Sequence, residues 1–329
     1  MKVLITGGAG YIGSTVASAC EDAGHDVVIL DDFSTGRREF IGERPLYEGD
    51  IADDSLLDRL LREQRIDAVV HCAAKIIVPE SVSKPLAYYE NNVAKTVTLL
   101  AALQRNGVER FLFSSSASIY APDENFVVTE DSPLQPGSPY ARTKFMVELI
   151  LEDFTRASDV RVASLRYFNP IGTDPKLRSG QQLEKPSHVL AKLLEAWVNK
   201  ETFTVTGVDW PTRDGSGIRD FIHVWDLARA HVAALEHFDE ATATDPYQVF
   251  NIGTGNGVTV KELAASFEKI TGDPLKVRFG EPRPGDVAGV YTVSTKARDV
   301  LGWEAELTET DAVRDAIAWL PVRKERLGY

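Results

Sequence analysis

Gly7-Gly8-Ala9-Gly10-Tyr11-Ile12-Gly13 is the stretch of sequence that decides the fold. It has the spacing G-x-x-G-x-x-G, it follows the apolar run Val3-Leu4-Ile5, and it opens a segment with helical periodicity over 11–23. Glycines at such a turn let backbone N–H groups approach a pyrophosphate, whose charge is favoured at a helix N-terminus. The pattern therefore predicts a dinucleotide site on Gly7, Gly10, Tyr11, Ile12 and Gly13, although similar turns also occur without a ligand.

The rest of the first half repeats this unit of strand and helix. Apolar runs at 27–30, 68–70 and 111–113 alternate with amphipathic stretches at 54–64 and 85–106. Continuous apolar strands separated by helices indicate a parallel sheet that is covered on both faces. We therefore predict an α/β fold with a doubly wound, Rossmann-like parallel sheet.

The second half is interrupted by long polar loops rich in Gly and Pro. These features predict a smaller α+β lobe for substrate binding, and the segment 219–236 is expected to return a strand and a helix to the first lobe. The predicted division gives the first domain residues 1–168 with 219–250, and the second domain 169–218 and 251–329.

Two acidic positions after the second apolar run extend the dinucleotide prediction. Asp31 ends that run about 20 residues after the glycines, where a carboxylate can bond both hydroxyls of an adenosine ribose. It would also repel a 2′-phosphate, so NAD is favoured over NADP. The alternative is that Asp31 and Asp32 cap the following turn, a role that suits Asp32. Further on, Asp50 and Ile51 resemble an adenine-contacting turn after a third strand.

A second group of polar residues predicts acid–base chemistry. Tyr140 and Lys144 are four residues apart and project from the same helix face, and Ser114, Ser116 and Ser118 lie about 25 residues upstream at the end of a strand. An ammonium beside a phenol lowers the pKa of the phenol toward the range of a general base. Tyr-x-x-x-Lys occurs by chance in many helices, but its combination with a dinucleotide turn and a serine cluster is specific.

The charge balance argues against polyanionic partners. The 329 residues contain 36 Lys plus Arg against 49 Asp plus Glu, which gives a formal net charge of −13. Nucleic acids and anionic membrane surfaces are bound largely through Lys and Arg. We therefore expect no nucleic-acid or membrane partner.

The cysteines and the hydropathy pattern indicate a cytoplasmic protein. Only Cys20 and Cys72 are present, so the sequence supports neither a disulfide framework nor a thiolate metal cluster, and no metal is expected. The N-terminus has no signal-peptide pattern. No apolar run reaches the roughly 18 residues of a transmembrane helix.

These motifs resemble the extended short-chain dehydrogenase/reductase family, and within it the UDP-glucose 4-epimerases, over almost the whole chain. The most specific segment is 210–224, Trp-Pro-Thr-Arg-Asp-Gly-Ser-Gly-Ile-Arg-Asp-Phe-Ile-His-Val. The resemblance implies NAD-dependent 4-epimerisation of a UDP-hexose through a transient 4-keto sugar. It also implies a homodimer formed through a four-helix contact, to which 85–106 and 140–154 are expected to contribute.

The resemblance assigns roles to individual residues. Tyr140 is implied as the base, Ser116 as its hydrogen-bonding partner, and Lys144 as the residue that holds the nicotinamide ribose and tunes Tyr140. The implied cofactor contacts also include Asp31, Asp32, Asp50, Ile51, Ala73, Ala74, Asn91 and Ser114. The implied UDP-sugar contacts are Ser116, Ser118, Tyr140, Asn169, Ser187, His188, Arg219, Arg283, Asp286 and Val290.

Several of these positions leave alternatives open. Arg219 could form a plain salt bridge with Asp220, and His223 is more simply a structural residue than a catalyst. The local sequence Ser187-His188 departs from the family pattern, as do Pro79, Ile76 and Ala121. Val290 stands where glucose-restricted relatives often have tyrosine, so activity on UDP-N-acetylhexosamines is an open expectation beside UDP-galactose and UDP-glucose.

Two other functions compete with epimerisation. A sugar-nucleotide dehydratase or decarboxylase would share the lobes, NAD and Tyr-x-x-x-Lys. Such relatives carry acids immediately after the catalytic serine or threonine, whereas this chain has Ala117 and Ser118. A non-catalytic NAD-binding sensor would usually lack the Tyr/Lys pair, which is intact here.

Overall fold

The computed structural model describes residues 1–121, 123–184, 186, 188–282 and 287–329. The strands in chain order are β1 (Lys2–Thr6), β2 (Asp26–Asp31), β3 (Leu46–Glu48), β4 (Ala68–His71), β5 (Arg110–Ser114), β6 (Val127–Val128), β7 (Arg161–Tyr167), β8 (Asn169–Ile171), β9 (Thr202–Thr206), β10 (Ile218–His223), β11 (Tyr247–Ile252), β12 (Gly257–Thr259), β13 (Lys276–Gly280) and β14 (Tyr291–Thr292).

The α-helices flank and connect these strands. In chain order they are α1 (Tyr11–Asp22), α2 (Asp54–Gln64), α3 (Val78–Ser83), α4 (Pro85–Tyr89), α5 (Lys95–Arg105), α6 (Pro139–Ala157), α7 (Val189–Asn199), α8 (Val224–Glu236), α9 (Phe238–Ala241), α10 (Val260–Thr271), α11 (Thr295–Leu301) and α12 (Glu309–Leu327). Short 3₁₀ turns lie at Arg38–Phe40 and Ala117–Ile119, and a π-helical turn spans Glu90–Ala94.

Within the described residues, seven strands form one parallel sheet in the order β11-β7-β5-β4-β1-β2-β3. Side chains that alternate along β1 enter two different cores: Val3 and Ile5 pack with α1 and α8 on one face, and Leu4 packs with α2 and α5 on the other. Strands with both faces buried need a continuous apolar sequence. The predicted α/β, doubly wound fold is confirmed.

The predicted helices are present, with one local difference. The expected segments 11–23 and 54–64 appear as α1 and α2, whereas 85–106 is divided into α4, the π-helical turn and α5. A π turn adds a residue to the helical register and often marks a functional position. Here the turn carries Asn91 and Asn92, so it re-aims two polar side chains.

A second hydrophobic core lies beside the main sheet. It joins α7, α10 and α12 with β9 and β10, through buried residues such as Leu193, Phe203, Phe221 and Phe267. Strands β12, β10 and β8 form a three-stranded sheet, and β13 pairs with β9. This core supplies the smaller α+β lobe that the sequence predicts.

The returning segment differs in detail from the expectation. Helix α8 packs against α1 as expected, but the preceding strand, β10, pairs with β8 and β12. The strand that joins the main sheet is β11, which pairs with β7. Of the strand and helix expected within 219–236, the helix thus packs on the first lobe, whereas the strand is hydrogen-bonded within the smaller sheet.

The helices of the described residues differ from membrane-spanning segments. None of them combines the length and the apolar character that crossing a bilayer requires.

Candidate active site

The glycine-rich turn is held in a conformation that only glycine fits. Gly7 has φ +72°, its N–H donates to the Leu30 carbonyl at 2.8 Å, and a Cβ there would lie 2.8 Å from Ala73 Cα. A Cβ at Gly13 would clash with the Gly7 carbonyl oxygen and lie 2.9 Å from Gly8 Cα. The turn therefore brings β1, α1 and the segment after β4 into close backbone contact.

The N-terminus of α1 has the character of an anion site. Its N-cap is Gly10, and no side chain caps its backbone N–H groups. By contrast, Asp53, Ser138, Thr259 and Thr308 cap α2, α6, α10 and α12 with side-chain oxygens. An uncapped helix start with closely approaching backbone suits a pyrophosphate, so the residues fit the dinucleotide that the sequence predicts.

Asp31 lies beside this turn at the end of β2. Its Oδ2 accepts from Ala9 N at 2.9 Å and its Oδ1 from Phe33 N at 2.8 Å, and the residue is 6% exposed. Burial raises the pKa of Asp31, while the two backbone donors lower it. Each carboxylate oxygen retains a lone pair for a ribose hydroxyl. Asp32 accepts from Ser34 N at 2.8 Å and caps the turn, as the alternative for that residue predicted.

The remaining predicted cofactor residues lie at the same edge of the sheet. Ala73 and Ala74 follow β4, and Ala73 faces Gly7. Asp50 pairs with Lys95, whereas Ile51 is 6% exposed and belongs to the core beneath the turn. Asn91 Nδ2 donates to Asn92 Oδ1 at 3.0 Å. Their roles toward a cofactor stay predictions.

Asn92 is a positioning residue that sequence reasoning missed. Its Oδ1 accepts from Lys75 N at 2.8 Å, and its Nδ2 donates to the Lys75 carbonyl at 3.0 Å and to Thr143 Oγ1 at 3.0 Å. The side chain is 3% exposed and joins the segment after β4 to helix α6. The adjacent Asn91-Asn92 pair was the available signal, but which amide turns inward depends on the π turn.

Helix α6 presents Tyr140 and Lys144 to the serine cluster. Ser138 caps the helix by accepting from Ala141 N at 3.1 Å, and Pro139 occupies its first turn. The hydroxyl of Ser116 donates to Ser118 Oγ at 3.0 Å, and Ser116 is near enough to the Tyr140 phenol to lower its pKa. Lys144 Nζ donates to the Ser114 carbonyl at 2.7 Å. The structure thus brings together Tyr140, Lys144, Ser114, Ser116 and Ser118.

The pKa of Tyr140 differs from the expectation. Burial raises it above the ordinary range, and the nearby Ser116 hydroxyl lowers it in part. The predicted lowering by Lys144 is not seen in the protein alone, because the Lys144 ammonium is directed to the Ser114 carbonyl. Burial also lowers the pKa of Lys144 to about 8, while Cys72 and Glu148 raise it.

A buried polar network lies behind this group. Arg166 donates to both oxygens of Glu148, with Nη2 to Oε2 at 2.6 Å, and its Nη1 donates to Tyr120 Oη at 2.9 Å. Ser115 also donates to Glu148, and Tyr120 donates to Asn251 Oδ1 at 2.6 Å. Both charged side chains are at most 6% exposed. The network fixes α6 one turn beyond Lys144 against β7 and β11.

Two buried histidines near the cluster remain neutral. Burial lowers the pKa of His231 to about 4 and that of His71 to about 3. His231 Nε2 lies 3.3 Å from Ser114 Oγ, and His71 bridges Thr6 and Thr96. Among the described residues, neither histidine forms a hydrogen bond with the Tyr140 phenol. Both therefore act as positioning groups.

The predicted substrate residues occupy the second lobe and the strand ends next to it. Asn169 begins β8 opposite Phe221, and His188 is the N-cap of α7, where burial lowers its pKa. Val290 packs against a small cluster that includes Ala117, Tyr120 and Phe168, close to the Ser116 turn. Ser187, Arg283 and Asp286 lie outside the described residues.

Arg219 and Asp220 have different surroundings. Arg219 Nη1 donates to the carbonyls of Ile218 at 2.7 Å and Ala288 at 2.6 Å. Asp220 is fully buried and accepts from Thr254 N and Oγ1, both at 2.8 Å. Consecutive strand residues point to opposite faces, so Arg219 faces the segment 287–288 and Asp220 the turn after β11.

The other questioned positions have structural explanations. His223 accepts from Trp225 N at 3.0 Å as the cap of α8, and its Nε2 lies 3.2 Å from Asp315, which supports the structural role. Pro79 is in the first turn of α3, where no N–H is required. Among the described residues, no group of three or more His, Cys, Asp or Glu side chains could hold a metal ion.

Comparisons with known proteins agree with this geometry. The model of the NAD dependent epimerase/dehydratase family matches residues 3–253. A UDP-glucose 4-epimerase of Azospirillum brasilense is 42% identical over 99% of this chain and 94% of its own length. A UDP-glucose-4-epimerase from Stenotrophomonas maltophila, solved with NAD and formylated UDP-arabinopyranose, superposes with a TM-score of 0.94 at 35% identity over 99% of both chains. A UDP-Glc/GlcNAc 4-epimerase from Campylobacter jejuni superposes with a TM-score of 0.83 at 35% identity over 98% of this chain and 99% of its own.

Proposed function

This chain belongs to the NAD dependent epimerase/dehydratase family, and from that premise we propose that it interconverts UDP-galactose and UDP-glucose at C4. The observation that carries the proposal is the meeting of Tyr140, Ser116 and Lys144 at the edge of the sheet that also holds the glycine-rich turn. The catalytic group and the cofactor turn therefore lie at the same edge of the parallel sheet, after the ends of β5 and β1.

NAD fits the first lobe as this structure presents it. Gly7, Gly10, Tyr11, Ile12 and Gly13 would hold its pyrophosphate at the uncapped start of α1, and Asp31 its adenosine ribose. NAD held there would supply reversible hydride transfer with C4 of the sugar, so that the configuration at C4 could be inverted without net oxidation. A carboxylate as buried as Asp31 disfavours a 2′-phosphate, which supports NAD over NADP.

Tyr140 is the group that moves the proton in this proposal. Its phenolate would take the proton of the sugar 4-hydroxyl and return it after the sugar has turned. Ser116, which is near enough to the phenol to lower its pKa, would hold the same sugar oxygen. Because burial raises the pKa of the isolated phenol, the charge of Lys144 and the bound substrates must favour the phenolate.

The second lobe would bind the UDP moiety. Arg219 presents a guanidinium near the segment 287–288, where planar bidentate bonds to a diphosphate are feasible. Asn169, Ser118 and His188 lie toward the same lobe, and we assign Ser187, Arg283 and Asp286 to it from the family resemblance. We propose 1–168 with 219–250 as the NAD domain, and 169–218 with 251–329 as the UDP-sugar domain.

Val290 bears on the choice of sugar. It packs on Ala117 and Tyr120 beside the Ser116 turn and is smaller than a tyrosine. A smaller side chain leaves space for a bulkier 2-substituent, so we propose that UDP-N-acetylhexosamines are also accepted. The neighbour from Campylobacter jejuni is named a UDP-Glc/GlcNAc 4-epimerase, so its name includes both a plain and an N-acetylated sugar.

A dehydratase or decarboxylase activity is less well supported. The positions after Ser116 are Ala117 and Ser118, and neither supplies a carboxylate for chemistry at C5 or C6. A non-catalytic NAD-binding sensor would not require the buried pair Tyr140 and Lys144.

Sugar-nucleotide chromatography with mass spectrometry tests the proposal. The protein with NAD is incubated separately with UDP-galactose and with UDP-N-acetylglucosamine. We expect conversion to the respective 4-epimer with no change in mass. Turnover of neither substrate would refute the epimerase assignment, and a product that has lost water or carbon dioxide would support the alternative.

We also propose a homodimer. Leu86 is 80% exposed, and Val97, Met146 and Leu149 are between 41% and 46% exposed. They lie on the helical segment formed by α4, the π-helical turn and α5, and on α6, which packs against α4 and the π-helical turn. A shared apolar surface on two neighbouring helices suits a four-helix contact with a second copy.

A cytoplasmic location completes the proposal. Cys20 and Cys72 are both free, as thiols are in a reducing compartment. The expected absence of nucleic-acid and membrane partners rests on the net charge of −13.

A further inference from the structure

A cavity of about 430 Å³ lies in the second lobe between α7 and α12, and is called the α7–α12 cavity below. Its apolar walls include Pro170, Ile171, Leu190, Leu194, Trp319 and Leu320. The volume falls within the range of small-molecule sites, roughly 300–1,000 Å³. Tyr11 and His188 border it, but Ser116, Tyr140, Asn169, Arg219 and Val290 do not line it. The cavity is therefore separate from the proposed reaction centre.

Two polar groups on the cavity wall are buried without a hydrogen-bond partner. Thr173 is 0% exposed, and its Oγ1 has no partner among the described residues. The Nε of Arg323 is likewise buried and unpaired, although its Nη2 donates to the Leu183 carbonyl at 2.6 Å. Buried polar atoms in proteins are almost always satisfied. Two unsatisfied donors on one cavity wall therefore point to a ligand.

The charges around Arg323 favour an anion. Its guanidinium lies 4.9 Å from the ring centroid of Tyr329, and the guanidinium of Arg37 lies 5.5 Å from the same centroid. Within the described part of the chain, neither arginine forms an ion pair with a carboxylate. Glu184 and Glu195 act on Arg323 only through longer-range attraction, so its guanidinium still has bonding capacity for a negative group.

The acidic residues of the cavity limit that negative charge. Glu195 lines the wall but is paired with Lys192 at 2.6 Å, and Glu184 also lines the wall. A ligand with several negative charges would lie against these carboxylates. A single carboxylate can reach Arg323 while the rest of the ligand stays apolar.

We propose that the α7–α12 cavity binds a small organic acid whose apolar, preferably aromatic, body packs on Leu190, Leu194 and Trp319 and whose carboxylate pairs with Arg323. The hydroxyl of Thr173 supplies a second polar contact. This site adjoins the proposed NAD and UDP-sugar sites at Tyr11 and His188, but the acid would occupy the space between α7 and α12. Its occupation does not depend on the epimerase reaction.

Isothermal titration calorimetry with naphthaleneacetate tests the proposal. The full chain is saturated with NAD and UDP, so that the reaction centre is occupied, and the acid is compared with the equally shaped, neutral naphthaleneacetamide. We expect the acid to bind at one site per chain. The amide should bind with an affinity at least about tenfold lower, because the amide lacks the charge-assisted bond to Arg323. Equal binding of the two compounds, or binding of neither, would overturn the proposal.

Variants locate the binding site. Ala191→Phe and Val198→Trp fill the cavity from partly exposed positions of α7 and should abolish binding of the acid. Arg323→Gln should reduce the affinity for the acid to that for the amide. The matched control is Arg314→Gln, which removes a 61% exposed arginine from the same helix and should bind as the wild type does. A far-UV circular dichroism spectrum and a urea midpoint close to those of the wild type show that each variant is folded. Undiminished acid binding in both cavity-filling variants would refute the location.

Discussion

Replacing Lys144 with methionine tests the electrostatics of the catalytic cluster without relying on turnover. Lys144 is 3% exposed, and burial lowers its pKa from the ordinary 10.5 to about 8. Because the folded state holds this proton less tightly than the unfolded state, the charged lysine destabilises the fold below pH 8. The penalty is relieved as the pH rises from 8 toward 10.5.

The size of the effect follows from the two pKa values. Between pH 7 and pH 10 the unfolding free energy of the wild type should rise by about 2 to 3 kcal/mol relative to that of Lys144→Met. Cys72 is coupled to Lys144, but burial raises the pKa of its thiol in the folded protein to about 11, above the measured range, and in the unfolded chain it titrates alike in both proteins. The loss of the bond to the Ser114 carbonyl shifts the difference by a constant and does not alter its dependence on pH.

The assay is urea unfolding of nucleotide-free protein at several pH values between 7 and 10. Lys192→Met, which removes a 45% exposed lysine, is the matched control and should track the wild type. A wild-type-minus-variant difference that stays flat, or falls with pH, would refute the account of Lys144 as a buried cation held at a cost to stability.

Three further outcomes follow from the contacts. Gly13→Ala should lower the free energy of unfolding by about 1 to 3 kcal/mol and weaken NAD binding, because its Cβ would meet the Gly7 carbonyl. Gly137→Ala is the control, since a Cβ there meets open space, and it should change neither the urea midpoint nor the NAD titration. Arg166→Met should lower the free energy of unfolding by about 3 to 5 kcal/mol, because it leaves Glu148 as a buried unpaired charge. Adding Glu148→Met should recover much of that loss, and equal urea stability of the single and double variants would contradict this. In light scattering the wild type should have the mass of the proposed dimer and Leu86→Glu with Leu149→Glu that of a monomer; an unchanged mass would exclude these helices as the interface.

The parts of the fold that the sequence predicts are those governed by local rules. The Gly7–Gly13 turn, the apolar β1 and β2 strands and the amphipathic α2 depend on backbone sterics and on hydrophobic periodicity within one segment. Asp31 could be placed because its distance from the glycines is set by one strand-helix-strand unit.

The parts that the sequence does not predict depend on contacts between distant segments. The π turn at Glu90–Ala94 decides that Asn92 rather than Asn91 clamps the segment after β4. The strand β10 enters the smaller sheet because β8 and β12 flank it. The direction of the Lys144 ammonium is likewise set by the Ser114 carbonyl, which lies 30 residues away along the chain.

The turnover of Tyr140→Phe is the measurement that tests the central claim most directly. The variant removes only the phenolic oxygen that faces Ser116, so the binding of NAD and UDP should persist. We predict that its rate of UDP-galactose conversion falls by at least about a hundredfold, the usual contribution of a general acid–base group. A rate equal to that of the wild type would contradict the assignment of Tyr140 as the proton-transferring residue.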